Sequence, residues 1–197
     1  EVEEIYSKLA VEPVLRMYVL SLLATNMCRT KVQLTTFFSQ TFWAHHYKDM
    51  PQIERIIGRV LKMLVNYGFI VMNNVPADVK VELSEKSQML DFESAADILA
   101  ELDLPIRVTP LGMRVSQLYI DPFSANQIIT GLRKDKITDF GILLLLNQTL
   151  EMRPLLRAKA AELEKMNEFL FTHEQEMLTP VPTLYDIEYE DFFNALK

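Results

Sequence analysis

Cysteine is nearly absent from this 197-residue chain: Cys28 stands alone, so neither an internal disulfide nor a zinc site built from several thiolates can form. A reducing compartment is the expectation. Glycine is also scarce, at 5 residues, which favours helices over a many-turned β-sandwich. No apolar run approaches the ~20 residues that cross a bilayer, and no basic-then-apolar leader opens the chain, so a cytoplasmic protein is expected. Nowhere does the pattern G-x-x-x-x-G-K-S/T occur, nor the acidic box that accompanies it in nucleotide-hydrolysing motors. As it stands, the chain is expected not to hydrolyse a nucleotide. Hydrolase chemistry of the nucleophile-elbow type has no support either. An initiating Met is missing, and the opening Glu1-Val2-Glu3-Glu4 implies a piece of a longer protein.

Apolar residues make up 49% of the chain and charged residues 24%, enough for a sizeable packed core and inconsistent with disorder. The formal net charge of -7 argues against a uniformly basic nucleic-acid binder, but the charge is unevenly spread. Between Glu12 and Tyr67, Arg16, Arg29, Lys31, Lys48, Arg55, Arg59 and Lys62 face only Glu12, Asp49 and Glu54. Between Val75 and Leu104 the balance reverses: Lys80 and Lys86 face Asp78, Glu82, Glu85, Asp91, Glu93, Asp97, Glu101 and Asp103. A basic block precedes an acidic one.

Hydrophobic periodicity predicts a first helix over Pro13–Asn26, with Leu15, Val19, Leu22 and Leu23 on one face. Thr30 is placed to cap a second helix carrying Val32, Leu34, Phe37 and Phe38, which the aromatic run 42–47 extends or follows. Asp49 and Pro51 suit the start of a third, since a first-turn proline has no hydrogen bond to lose. At ~100° per residue, Ile53, Ile56, Ile57, Val60, Leu61 and Leu64 gather on one side of that helix. Gln52, Arg55, Arg59, Lys62 and Asn66 form a narrow stripe on the other. Gly68 can end the helix in the left-handed conformation, and 69–72 then reads as a strand.

Three helices followed by a strand is the winged-helix order. The returning strand of the wing is expected at 106–109, with the acidic stretch between as an enlarged wing tip containing a short helix, Asp91–Leu102. Thr109 and Pro110 then cap and open another helix, which Asp121-Pro122 ends. Beyond it, helices are expected over Ser124–Leu132, Thr138–Asn147, Pro154–Phe171 and from about Glu188. Ile142 to Leu146 is apolar all round, which predicts burial on several sides. Phe192, Phe193 and Leu196, at the point where the chain stops, are expected to lack their packing partner. The fold class is therefore mainly α: a winged helix over 1–120, then a partial helical bundle over 121–197.

The segment Thr109-Pro110-Leu111-Gly112-Met113-Arg114-Val115-Ser116-Gln117-Leu118-Tyr119-Ile120-Asp121-Pro122 resembles a signature of the archaeal Ski2-like superfamily 2 DNA helicases. Ser7-Lys8-Leu9, Leu15-Arg16 and Val19-Leu20-Ser21-Leu22 agree with that family before the signature. Phe140-Gly141-Ile142-Leu143 and Phe192-Phe193-Asn194-Ala195-Leu196-Lys197 agree after it, so the resemblance covers nearly the whole chain. It implies a winged helix followed by the first helices of a helical ratchet domain, with the two RecA-like motor domains and the ratchet helix itself outside this sequence. It further implies a parent that uses ATP and Mg²⁺ to move 3′ to 5′ on DNA at branched or stalled replication forks. The sequence departs from the family's pattern at Met113, where a basic or polar residue is expected, and in its long acidic insertion.

The stripe Gln52, Arg55, Arg59 and Lys62 is the candidate nucleic-acid surface, because the third helix of this topology is the usual groove reader. Arg29 and Lys31, at the start of the second helix, are candidates for added backbone contacts. The same stripe can equally be a solvated face, or a surface that docks on the parent's motor domains. A free-standing winged-helix transcription regulator is a third reading, and it predicts a dimer. Adjacent histidines on a helix point apart, so His45-His46 carries no metal expectation. Phe38, Phe42 and Trp43 can stack on bases but suit a core between helices, and Arg114 and Asp121 read as a structural pair or cap.

Overall fold

The computed structural model describes residues 9, 12–47, 50–72, 104–183 and 185–197, which fall into two compact units, Glu1–Pro122 and Phe123–Lys197. The acidic insertion, its expected helix Asp91–Leu102 and the expected cap Asp49 lie outside the described residues.

In the first unit, α1 (Glu12–Ala24) buries Leu15, Val19, Leu20, Leu22 and Leu23, as its spacing predicts. Thr30 caps α2 (Lys31–Ser39), its hydroxyl accepting from Gln33 N at 3.3 Å. The aromatic run forms a separate short helix, α3 (Phe42–Tyr47), because Gln40 and Thr41 turn back to donate to the Phe37 and Phe38 carbonyls. Trp43 and Phe38 are buried and pack edge to face with centroids 6.1 Å apart, whereas Phe42 is exposed. The third helix of the sequence reading is thus α4 (Met50–Asn66), with Pro51 in its first turn. Ile53, Ile57, Val60, Leu61 and Leu64 are buried, each contributing about 1.5–3 kcal/mol of burial. Ile56, at the edge of the apolar arc, is half-buried.

Gly68 (φ +71°) ends α4, and the chain enters β1 (Ile70–Met72), which pairs antiparallel with β2 (Ile106–Val108) in the register Ile70 to Val108, Val71 to Arg107, Met72 to Ile106. Both strands are one residue shorter than predicted, since Phe69 and Thr109 serve the helix ends instead. Phe69 N donates to Leu64 O, and Thr109 N donates to Phe69 O at 2.9 Å. The Thr109 hydroxyl donates to Gly68 O at 2.8 Å and accepts from Gly112 N at 3.1 Å, capping α5 (Pro110–Leu118). α1 packs against α5, β2 and α4, while α2 packs on α4. Among the described residues this arrangement is mainly helical, with one two-stranded sheet, and winged-helix-like.

Asp121-Pro122 does more than stop α5. Tyr119, left-handed at φ 58°, is the C-cap, and Pro122 opens the next helix, α6 (Pro122–Gly131). In the second unit follow α7 (Asp139–Asn147), capped by Thr138, then α8 (Ala160–His173) and α9 (Tyr189–Leu196). Their core joins Leu144, Leu170, Met177, Phe192, Phe193 and Ala195. Three expectations are corrected here. Phe192 and Phe193 are buried against α7 and α8, so α9 has its packing partner within the chain. α7 is buried on one face only: Leu144 and Leu145 are inside, but Leu143 is 61% and Leu146 41% exposed. The helix predicted from Pro154 starts at Ala160, because residues 155–159 are held in a non-helical course beside α9. Ala158 N donates to Asn194 Oδ1 at 2.7 Å, and Lys197 Nζ donates to Arg157 O at 3.1 Å. Those tertiary hydrogen bonds outweigh a helix propensity of tenths of a kcal/mol per residue.

Gly141, at the start of α7, faces the Glu176 carbonyl; an added Cβ would lie 2.5 Å from that oxygen and 3.1 Å from Leu178 Cγ. Gly141→Ala is therefore expected to cost about 1–3 kcal/mol, read as a lowered midpoint in a far-UV circular dichroism melt. An unchanged midpoint would mean that the 174–178 segment yields freely.

Candidate nucleic-acid interface

Amphipathicity of α4 fixes the geometry of the stripe. With one side of the helix locked into the core by Ile53, Ile57, Val60 and Leu64, the opposite side must face out. Gln52, Arg55 and Arg59 are exposed there and Lys62 is half-buried, over roughly 15 Å of helix at 1.5 Å per residue. Arg55 folds back along its own helix, its Nε donating to Pro51 O at 3.3 Å. Arg59 makes no hydrogen bond or ion pair among the described residues, so its guanidinium keeps all of its donors for an outside group.

Arg29 and Lys31 sit at the entrance of α2, Arg29 exposed and Lys31 half-buried. The main chain of Arg29 is fixed on both sides: its N–H donates to Gln33 Oε1 and its carbonyl accepts from Ile106 N, each at 2.7 Å. The second bond holds this link beside β2 and brings Arg29 near Arg107, a cation that the sequence reading did not single out. Arg107 could have been found from its alternation with Ile106 and Val108, which turns it outward on a strand.

Asp121 is structural, but its partner is not Arg114. Arg114 is exposed and donates to Gln117 Oε1 at 3.3 Å, while Asp121 is buried and pairs with Arg16, 105 residues earlier. Arg16 Nη2 donates to both carboxylate oxygens at 3.1 Å and Nε donates to Oδ2 at 3.3 Å, with Glu12 at 3.7 Å on the outer side. Arg16 occupies the apolar face of α1 between Leu15 and Val19, and a charge in such a stripe signals a buried partner. Tyr67 stands close by: burial pushes its phenol up, Arg16 pulls it down, and Asp121 and Glu12 raise it further. The folded chain therefore holds this proton to higher pH than the unfolded chain, and loses that stability as pH rises above the ordinary tyrosine range. Burial likewise raises the Cys28 thiol, which keeps it protonated and poorly reactive.

Among the described residues no three His, Cys, Asp or Glu side chains converge as a metal site would require, and no helix is long and apolar enough to cross a membrane.

A winged-helix-like unit with a wet basic helix, joined to further helices, is the class of protein that the fold and this surface define. Its homologues make the class specific. The chain is 36% identical over 176 residues to the ATP-dependent DNA helicase Hel308 of Methanococcus vannielii, covering 81% of this chain and 23% of that protein. It is 30% identical over 201 residues to the Hel308 of Methanocella arvoryzae, covering 99% of this chain and 23% of the relative. To the Hel308 of Methanocaldococcus jannaschii it is 35% identical over 161 residues, covering 81% of this chain and 11% of the relative. No protein-family model matches the chain. The chain is thus a homologue of the archaeal Hel308 DNA helicases, Ski2-like members of superfamily 2, and corresponds to a fragment of such a helicase. It spans less than a quarter of the length of these relatives.

Proposed function

We propose that this chain is the non-catalytic, DNA-contacting and interdomain region of an ATP-dependent 3′–5′ DNA helicase that acts on branched or stalled replication forks in DNA repair. Residues 1–120 serve as the winged helix and 121–197 as the opening helices of the ratchet-type domain. ATP and Mg²⁺ belong to the parent's RecA-like motor domains, and no chemical step is assigned to residues of this chain. The observation that carries the reading is the face of α4 on which Gln52, Arg55, Arg59 and Lys62 lie opposite the buried Ile53, Ile57, Val60 and Leu64, in a homologue of DNA helicases. Such a face places cations along a duplex backbone while the core holds the helix rigid. Arg29 and Lys31 add backbone contacts from the start of α2.

The test is the salt dependence of binding to a forked duplex oligonucleotide by fluorescence anisotropy. Removing one phosphate contact with Arg59→Ala should flatten the slope of log K against log salt by about 0.9. An unchanged slope, with the variant crosslinking to isolated motor domains more weakly than the wild type, would instead make this face a docking surface for the motor.

A further inference from the structure

A second cationic place lies in the first unit, away from the α4 stripe in sequence. The end of α1, the link into α2, β2 and the start of α5 enclose an open cleft of about 620 Å³, within the range of small-ligand pockets. Its floor is apolar, made by Leu23, Ile106 and Met113, and its polar lining includes Asn26, Arg29 and Arg107. Among the described residues that line it, none is acidic. The two arginine side chains are exposed and make no hydrogen bond or ion pair among the described residues. Their backbones are nonetheless held together, through the bond from Ile106 N to Arg29 O and the strand register that sets Arg107 against Val71.

Two guanidiniums around one cleft, with no carboxylate among its described lining residues, present their donor forks to an anion. An apolar floor beneath the cations adds a requirement that a bare ion does not meet: the ligand must carry a non-polar body beside its charge. A nucleotide unit has this character, with sugar and base joined to phosphate. We propose that the cleft holds a nucleotide segment of the bound nucleic acid, with Arg29 and Arg107 on its phosphates and sugar or base against Met113. The inference rests on the reading that this chain binds DNA. It adds Arg107 and Met113 to the interface and gives Met113, in place of a basic or polar residue, a role as contact surface.

The experiment uses the whole chain and a fluorescein-labelled duplex with a single-stranded tail, titrated across a series of salt concentrations. Arg29→Ala with Arg107→Ala should reduce the salt slope by roughly 1.4–1.8, whereas the double lysine variant should keep it. Met113→Ala should weaken binding at every salt concentration and leave the slope as it was, because the contact it removes is uncharged. Both arginines are exposed, so a Trp43 fluorescence melt should match that of the wild type and exclude misfolding as the cause. An unchanged slope in the double alanine variant, with Arg59→Ala still lowering it, would overturn the cleft and leave the α4 reading standing. A wild-type chain that binds no DNA would overturn both. Polyglutamate that displaces the oligonucleotide as well as an unlabelled oligonucleotide of equal charge would also overturn the proposal, and would mark the cleft as a seat for an acidic protein segment.

Discussion

Asp121→Ala is expected to destabilise the first unit by about 3–5 kcal/mol, because it strips the buried Arg16 guanidinium of the carboxylate that receives three of its hydrogen bonds. For a unit of this size that is a fall in melting midpoint of more than ~10 °C. Trp43, the single tryptophan, is buried in this unit, so its fluorescence reports the transition directly. Glu12 cannot substitute, since it sits at 3.7 Å on the exposed side and an exposed pair contributes at most about 1 kcal/mol. The partner experiment separates the value of the pair from the cost of breaking it. Arg16→Met combined with Asp121→Leu should recover most of the loss, because replacing both charges by apolar groups of similar volume removes the uncompensated buried charge. A loss below about 1 kcal/mol in Asp121→Ala would show that water reaches the guanidinium and that the pair does little to hold α1 to the end of the α5 segment.

Gly112→Ala is the second large effect. Gly112 stands at the third position of α5, where Thr109 caps its N–H, and the helix meets the link between α4 and β1 backbone to backbone. An added Cβ would overlap the Phe69 carbonyl oxygen and lie 2.8 Å from its carbon. Neither can swing aside as a side chain could. Phe69 O is the acceptor for Thr109 N, and Phe69 itself is fully buried. The clash must therefore be relieved by lifting α5 away from β1, which breaks the cap and opens the core around Val115. A cost of about 3 kcal/mol or more is expected, at or above the upper end for overpacking, measured as a shift in urea midpoint with unchanged m-value. A shift under ~1 kcal/mol would mean that α5 is not seated on Phe69 as described. Glycine stands in this part of the signature segment for closeness of backbone and not for conformational freedom, since Gly112 is helical.

Both effects show where sequence reading reached and where it stopped. The stripe on α4 was legible because helix periodicity sorts Ile53, Ile57, Val60, Leu61 and Leu64 from Arg55 and Arg59 without any knowledge of neighbours. The caps Thr30 and Thr109 were legible for the same reason: each satisfies an N–H three residues ahead. Asp121's partner was only half legible: the place of Arg16 in the apolar face of α1 signals a buried partner, but nothing local says which carboxylate, 105 residues away, supplies it. The late start of α8 was hidden as well, because the donors and acceptors that keep 155–159 out of the helix come from Asn194 and Lys197. Leu143 and Leu146 misled the reading in the opposite direction: an all-apolar helix need not be covered on every side within one chain.

Local order, the amphipathic face of α4, the helix caps and the left-handed turn at Gly68 follow from the residues themselves, because they depend on interactions within about four positions of the chain. The Arg16–Asp121 pair, the seat of Gly112 on Phe69 and the meeting of Arg29 with Arg107 were settled by the three-dimensional fold. Each joins groups between 40 and 110 positions apart, and only packing of the core brings such groups within hydrogen-bonding or van der Waals range.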